Sequence, residues 1–119
     1  MSSRVLVVEP NEEIRIPLMR VLRARGVGVD GFGSAREAID ALKAAPTWSR
    51  ALIELTLPGS DGATLAERVR AQLPEIAICF VTGGESGELL CRAHVLGTIL
   101  WKPLGLGPLC ERLISDTRR

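Results

Sequence analysis

The sequence predicts an α/β domain: a doubly wound, five-stranded parallel sheet with helices on both faces. Three observations carry this. Strand-like runs alternate with helical stretches five times along the chain, and each right-handed crossover between parallel strands needs a helix to return the chain. The runs Val5–Val8, Leu52–Ile53 and Ile76–Val81 are continuously apolar, as in strands buried on both faces. The polar residues Glu9, Glu54, Thr82 and Lys102 all fall at strand C-terminal ends, where ligands and chemistry collect in open α/β sheets.

The elements follow in order. Arg4–Val8 is a short β-branched run ending at Glu9, and Pro10 and Asn11 break it. Asn11 is placed to cap a helix with Ile14, Leu18, Val21 and Leu22 on its apolar face. Pro17 lies past the turn where a missing N–H is harmless, so a bend or a loosened first turn is expected there. Arg15, Arg20, Arg23 and Arg25 are read as a solvated face, or as a basic face for an acidic partner. Gly26 ends the helix, and Val27–Phe32 reads as an edge strand weakened by glycines. Ser34 and Glu37 make a capping box for a helix through Ala38, Ile39, Ala41 and Leu42 that stops before Pro46.

Trp48 and Ser49 lead into the third strand, which carries Glu54, and Pro58, Gly59 and Gly62 turn the chain. Asp61 caps a third helix with Leu65, Ala66, Val69 and Leu73 inward, ended by Pro74. The fourth strand, Ile76–Val81, gives way to Thr82 and the Gly83-Gly84 loop. A helix with Leu89, Leu90, Ala93 and Leu96 follows and closes at Gly97. Thr98–Trp101 is the fifth strand, ending in Lys102-Pro103. Gly107-Pro108 opens a last helix with Leu109, Leu113 and Ile114 inward.

At 119 residues the chain is expected to form one domain over 1–119, with 116–119 as a free tail or the start of a linker. With 46% apolar residues, 24% charged and a net charge of +1, nothing in the balance calls for nucleic acid or a membrane as partner. No run approaches the roughly 18 apolar residues of a spanning helix, and Met-Ser-Ser-Arg before four apolar residues is no signal peptide. A cytoplasmic location is expected. Cys79, Cys91 and Cys110 are odd in number, widely spaced and accompanied by one histidine, His94. They are read as small buried hydrophobes in a reducing compartment, and His94 as a surface or packing residue.

A lone acid among Leu52, Ile53, Leu55 and Leu57 must be paired or functional, because an unpaired buried carboxylate is too costly to keep. Two acids, a hydroxyl and a lysine at one sheet edge suit three roles. They could hold Mg2+ with a phosphorylated group. They could support catalysis by a desolvated Lys102. Or Glu54 and Lys102 could form an ion pair that fixes the end of the sheet.

The blocks Val5–Glu9, Leu52–Gly62, Val81-Thr82-Gly83 and Trp101-Lys102-Pro103 resemble, in order, the signature blocks of the response-regulator receiver domain of two-component signalling. The resemblance runs from Arg4 to about Thr117. It implies the flavodoxin-like (CheY-like) strand order 2-1-3-4-5 and a site where an aspartate at the end of the third strand takes a phosphoryl group from a histidine kinase. It also implies an acid pair after the first strand that helps hold Mg2+, and a threonine and a lysine that contact phosphoryl oxygens, here Thr82 and Lys102. Glu9, Pro10 and Thr56 line the implied site, and Lys102-Pro103 would be a cis peptide.

Three positions depart from that pattern. The phosphoacceptor position is Glu54, the acid pair has become Glu9-Pro10, and Ile99 stands where the family usually has a switching Tyr or Phe. Losing one carboxylate should weaken Mg2+ badly, because Mg2+ demands near-ideal octahedral geometry. Glutamate carries its oxygens about 1.5 Å further out. In-line transfer tolerates misplacement of only about 1 Å before losing roughly a hundredfold in rate. The expected function is therefore a pseudo-receiver of a bacterial two-component (phosphorelay) system, a phosphorylation-independent interaction module and not an enzyme, with no cofactor and Mg2+ binding weak or absent.

The expected partners are a histidine kinase, a phosphotransfer protein or an effector domain, with a homodimer through the face of the fourth helix, fifth strand and fifth helix as a further possibility. Ile99 and Trp101 lie on one side of the fifth strand and belong to that face. An accessible Trp101 would anchor a partner; the expectation is that it packs between the fourth and fifth helices instead. One alternative is a working receiver phosphorylated on Glu54, with Glu9 and Glu54 as weak metal ligands and Glu12 or Glu13 supplying the lost one. A remote alternative is a small flavin- or nucleotide-binding enzyme, opposed by the acidic Glu9-Pro-Asn-Glu-Glu13 loop, which repels phosphate. DNA binding by this domain is not expected, for lack of a basic patch or a recognition helix pair.

Overall fold

The computed structural model describes residues 4–84, 87–102 and 105–117, for 115–117 the backbone only. Five parallel strands form the sheet: β1 (Arg4–Val8), β2 (Gly28–Phe32), β3 (Trp48–Glu54), β4 (Ala77–Thr82) and β5 (Thr98–Trp101). Their spatial order is β2-β1-β3-β4-β5, as expected. The helices α1 (Glu12–Ala24), α2 (Ala35–Leu42), α3 (Gly62–Gln72) and α4 (Gly87–Leu96) provide the four crossovers, and α5 (Leu106–Thr117) follows the last strand. Between β3 and α3, Thr56–Leu57 and Ser60–Asp61 make a small antiparallel hairpin outside the sheet, turned through Gly59 at φ 67°.

Strand alternation sends successive side chains to opposite faces and so builds two cores. Leu6, Val8, Ile53 and Phe80 pack with the buried faces of α2, α3 and α4. Val5, Val7, Leu52 and Val81 pack with Leu18 and Leu22 of α1 and Leu109, Leu113 and Ile114 of α5. Full burial of each such aliphatic side chain is worth about 1.5–3 kcal/mol. The helix N-termini are closed by the expected caps. Asn11 Oδ1 accepts from Glu13 N at 2.9 Å, Ser34 Oγ from Glu37 N at 3.2 Å, and Asp61 Oδ1 from Thr64 N at 2.7 Å. Ser34 Oγ also donates to Glu37 Oε2 at 2.9 Å, so the glutamate binds its capping hydroxyl.

Several local expectations need correction. Pro17 lies inside α1, which is assigned as one helix from Glu12 to Ala24 with Leu18 and Leu22 buried. β4 is shifted one residue, leaving Ile76 outside and taking in Thr82, which pairs with Trp101. α5 begins at Leu106, so Pro108 sits third in the helix and not first. It continues through Thr117, into the segment expected as a tail. Cys79 and Cys110 are buried, but Cys91 is exposed: it lies on the outer side of α4, away from Ala93, the one fully buried residue of that helix. His94 is exposed as well.

At the end of the sheet opposite the polar residues, Arg4 and Asp30 are joined across β1 and β2 by two hydrogen bonds, of 3.0 and 2.7 Å. Asp30 Oδ2 also accepts from Trp48 Nε1 at 2.9 Å. These bonds, Arg4's foremost, hold the Asp30 carboxyl below the usual carboxylate range against the opposing effect of burial. The Trp48 ring meets Phe32 edge-on at 6.3 Å. None of these three pairings is local in sequence.

Candidate functional site

Parallel strands bring their C-terminal ends to one edge, and there the structure gathers Glu9, Glu54, Thr82 and Lys102. The backbone is tightly constrained where β3 ends. Leu55 N donates to Val81 O at 2.9 Å, and Gly62 N donates to Leu55 O at 2.8 Å. A Cβ on Gly62 would stand 2.5 Å from Glu54 O, so the first turn of α3 reaches the site backbone only because position 62 is glycine.

Lys102 Nζ donates to Glu54 Oε1 at 2.9 Å, with side-chain exposures of 37% for the lysine and 8% for the glutamate. The two residues leave β5 and β3, which are neighbours of β4 but not of each other, so the pair reaches across the end of β4. Lys102 N donates to Thr82 O at 2.8 Å, carrying the β4–β5 ladder one residue past β5 and aiming the lysine back over the edge. Thr82 is buried, and its Oγ1 accepts from Gly84 N at 3.1 Å, pinning the start of the glycine loop.

Glu9 is also buried, but its carboxylate serves the backbone: Oε2 accepts from Asn11 N at 2.9 Å. Its carbonyl accepts from Arg15 Nη1 at 2.7 Å, and Arg15 lies 3.5 Å from Glu12. Arg15 is thus a largely buried strut of the β1–α1 loop, which corrects its assignment to a solvated face. Pro10 is half-buried with no donor or acceptor in its side chain. Thr56, Glu12 and Glu13 are exposed. Among the described residues, no three His, Cys, Asp or Glu side chains converge as a metal-binding group. Pro103 lies outside the described residues, and with it the Lys102-Pro103 peptide.

Ile99 and Trp101 share one side of β5, but Trp101 does not pack between α4 and α5 as expected. It is 55% exposed, because the inward positions beside β5 are filled by smaller apolar side chains of α4 and by Ile99. Together with Leu90, Cys91, His94 and Val95 they line an open apolar groove of about 470 Å³. Val95, at 84% exposed, extends it outward. Sequence reasoning reached Trp101 and Ile99 but missed the α4 contribution. The signal was present in Val95, an apolar residue outside the Leu89, Leu90, Ala93 and Leu96 pattern. Asn11 N and Arg15, the partners of Glu9, were also missed; the acid-to-cap spacing of Glu9 and Asn11 was the available clue.

Comparison with known proteins bears on the family and the fold. Residues 5–114 match the response regulator receiver domain family. The chain is 31% identical over 81 residues to the response regulator receiver protein CpdR of Brucella abortus, covering 68% of this chain and 67% of that protein. It is 26% identical over 118 residues to the transcriptional regulatory protein RprY of Bacteroides fragilis, covering 98% of this chain and 50% of the relative. The sensor protein TorS of Escherichia coli is 28% identical over 75 residues, which is 63% of this chain and 8% of TorS. This chain thus spans half or less of those two longer relatives. The fold of a CheY-like receiver domain protein from Methanospirillum hungatei superimposes with a TM-score of 0.87 at 22% identity, over 99% of this chain and 95% of that one.

Proposed function

The chain belongs to the response regulator receiver domain family of two-component signalling, and from that premise we propose that it is an atypical receiver, a protein-interaction module that works without phosphorylation. The observation that carries the proposal is the 2.9 Å ion pair between Glu54 and Lys102. In the family pattern the residue at the end of the third strand is the aspartate that accepts the phosphoryl group, and the lysine contacts its oxygens. Here a glutamate stands at that position and its longer side chain already engages the lysine. A carboxylate at that reach supplies constitutively part of the charge that a phosphorylated aspartate would present.

The rest of the edge supports the same reading. Mg2+ needs several hard oxygen ligands in octahedral geometry. Glu9 Oε2 is engaged by Asn11 N, Pro10 offers no ligand atom, and Glu54 Oε1 is engaged by an ammonium group. This donor set does not fit Mg2+ well. The groove beside Trp101 and Val95 is the surface we assign to a protein partner of the signalling pathway, a kinase, phosphotransfer or effector domain or a second copy. The cytoplasm is the compartment such partners imply; among the described residues no helix is long and apolar enough to cross a membrane.

The test is intact mass after incubation with Mg2+ and acetyl phosphate, beside the double variant Glu54→Asp, Pro10→Asp. A phosphoryl adduct on the variant alone is the expected result. An adduct on the native chain would overturn the proposal and leave a working receiver with a glutamate acceptor.

A further inference from the structure

α4 is held unlike the other helices. Ala93 is its one fully buried residue, and Leu89, Leu90 and Leu96 pack against the core only partly buried, so apolar burial is less complete here than on the other helices. Two arginines running in opposite directions tie it to α3. Near the middle of α4, Arg92 Nη2 donates to Glu67 Oε1 at 2.8 Å and to Thr64 Oγ1 at 3.1 Å, while Nη1 lies 3.8 Å from Asp61 Oδ2. Thr64 Oγ1 in turn donates to Asp61 Oδ2 at 3.0 Å, so the contact is continuous with the N-cap of α3. At the other end Arg70, from the last turn of α3, donates Nη2 to Leu96 O at 2.7 Å, on a carbonyl that the end of α4 would otherwise leave to solvent.

The two ends differ in how firmly they are fixed. Gly97 follows directly, and a Cβ there would run into the Ile78 carbonyl, so the C-terminal end of α4 lies against the β4 backbone. Arg92 and Glu67 are 37% and 52% exposed, where ion pairs are weak and salt-sensitive.

We propose that Arg92 and Arg70 form a clasp that sets the position of α4: Leu96 and Gly97 are its fixed pivot, and Arg92 is the releasable latch. Leu90, Cys91, His94 and Val95 ride on α4, while Ile99 and Trp101 belong to β5. The latch therefore determines whether the two walls of the apolar groove stand in register. This device is independent of the chemistry at Glu54 and holds whether or not that residue takes a phosphoryl group.

Amide hydrogen exchange read by mass spectrometry tests it on the whole chain. In Arg92→Ala, exchange over 88–94 should rise about two- to fivefold, while β1, β3 and α5 stay unchanged. Arg92→Lys, which keeps the charge, should restore part of the protection. In the native chain, raising salt from about 0.05 to about 1 M should loosen 88–94 and leave 95–97 protected. Unchanged exchange in Arg92→Ala would overturn the proposal. So would a rise spread evenly over every element, or a native α4 indifferent to salt.

Discussion

Lys102 and Glu54 meet at 2.9 Å although 48 residues separate them and the end of β4 lies between their strands. The pair is unequal, since the carboxylate is nearly enclosed while the ammonium is more than a third exposed. A buried charge that loses one of its partners costs more than an exposed one, because the exposed group regains water.

Lys102→Met should therefore destabilise the protein more than Glu54→Gln does. We expect about 2–3 kcal/mol for the first and about 1 kcal/mol for the second, measured as shifts in urea midpoint at pH 7. Equal losses would mean that burial does not govern this pair.

Asp30 predicts a pH dependence at the other end of the sheet. Its folded-state pKa lies below its unfolded value, chiefly through the Arg4 hydrogen bond, so the unfolded chain takes up the proton first as pH falls. The stability it contributes is complete above the unfolded carboxylate value of about 3.9 and is lost as pH drops through the lower folded value. Urea midpoints of the native chain and Asp30→Asn should differ at pH 6 and converge below about pH 4. A constant gap across that window would count against the assignment.

The two tryptophans should behave oppositely. Trp48 is buried and donates to Asp30, so Trp48→Phe should cost about 1–2 kcal/mol through the lost hydrogen bond and the carboxylate acceptor left short of a donor. Trp101→Ser removes an exposed ring and should change stability by no more than about 0.5 kcal/mol. Acrylamide should quench the emission of Trp101 in Trp48→Phe and barely touch that of Trp48 in Trp101→Ser.

Thiol chemistry follows exposure. Cys91 is exposed, Cys79 and Cys110 are buried, and burial also pushes the Cys110 thiol up from its ordinary pKa. A disulfide reagent should label one thiol promptly in the native protein and all three in denaturant. Peptide mapping should place the fast label on Cys91.

Gly62→Ala probes the site through its backbone. The added methyl would meet Glu54 O and Leu55 Cα, so α3 or the end of β3 must move, at about 1–3 kcal/mol. A shift of the Lys102 amine resonance in the same variant would show that the end of β3 moves and carries Glu54 with it, and an unchanged resonance would assign the movement to α3.

The sequence by itself determined the elements and their order. Continuous apolar runs marked β1, β3 and β4, and Asn11, Ser34 and Asp61 announced helix starts that the structure confirms by their capping bonds. Parallel strands joined by right-handed crossovers must end at one edge, so the gathering of Glu9, Glu54, Thr82 and Lys102 was legible as well. What only the tertiary structure decided is which of those groups engage one another. Glu9 turns back to Asn11 N while Glu54 reaches across to Lys102, and Arg4, Asp30 and Trp48 join from three separate strands. The exposure of Trp101 and Cys91 and the tie between Arg92 and Glu67 likewise depend on how α4 lies against α3 and β5. Periodicity and capping are set by neighbours a few positions away, as is the Glu9–Asn11 bond, whereas the other pairings link residues 18 to 48 positions apart and arise from strand register and helix placement.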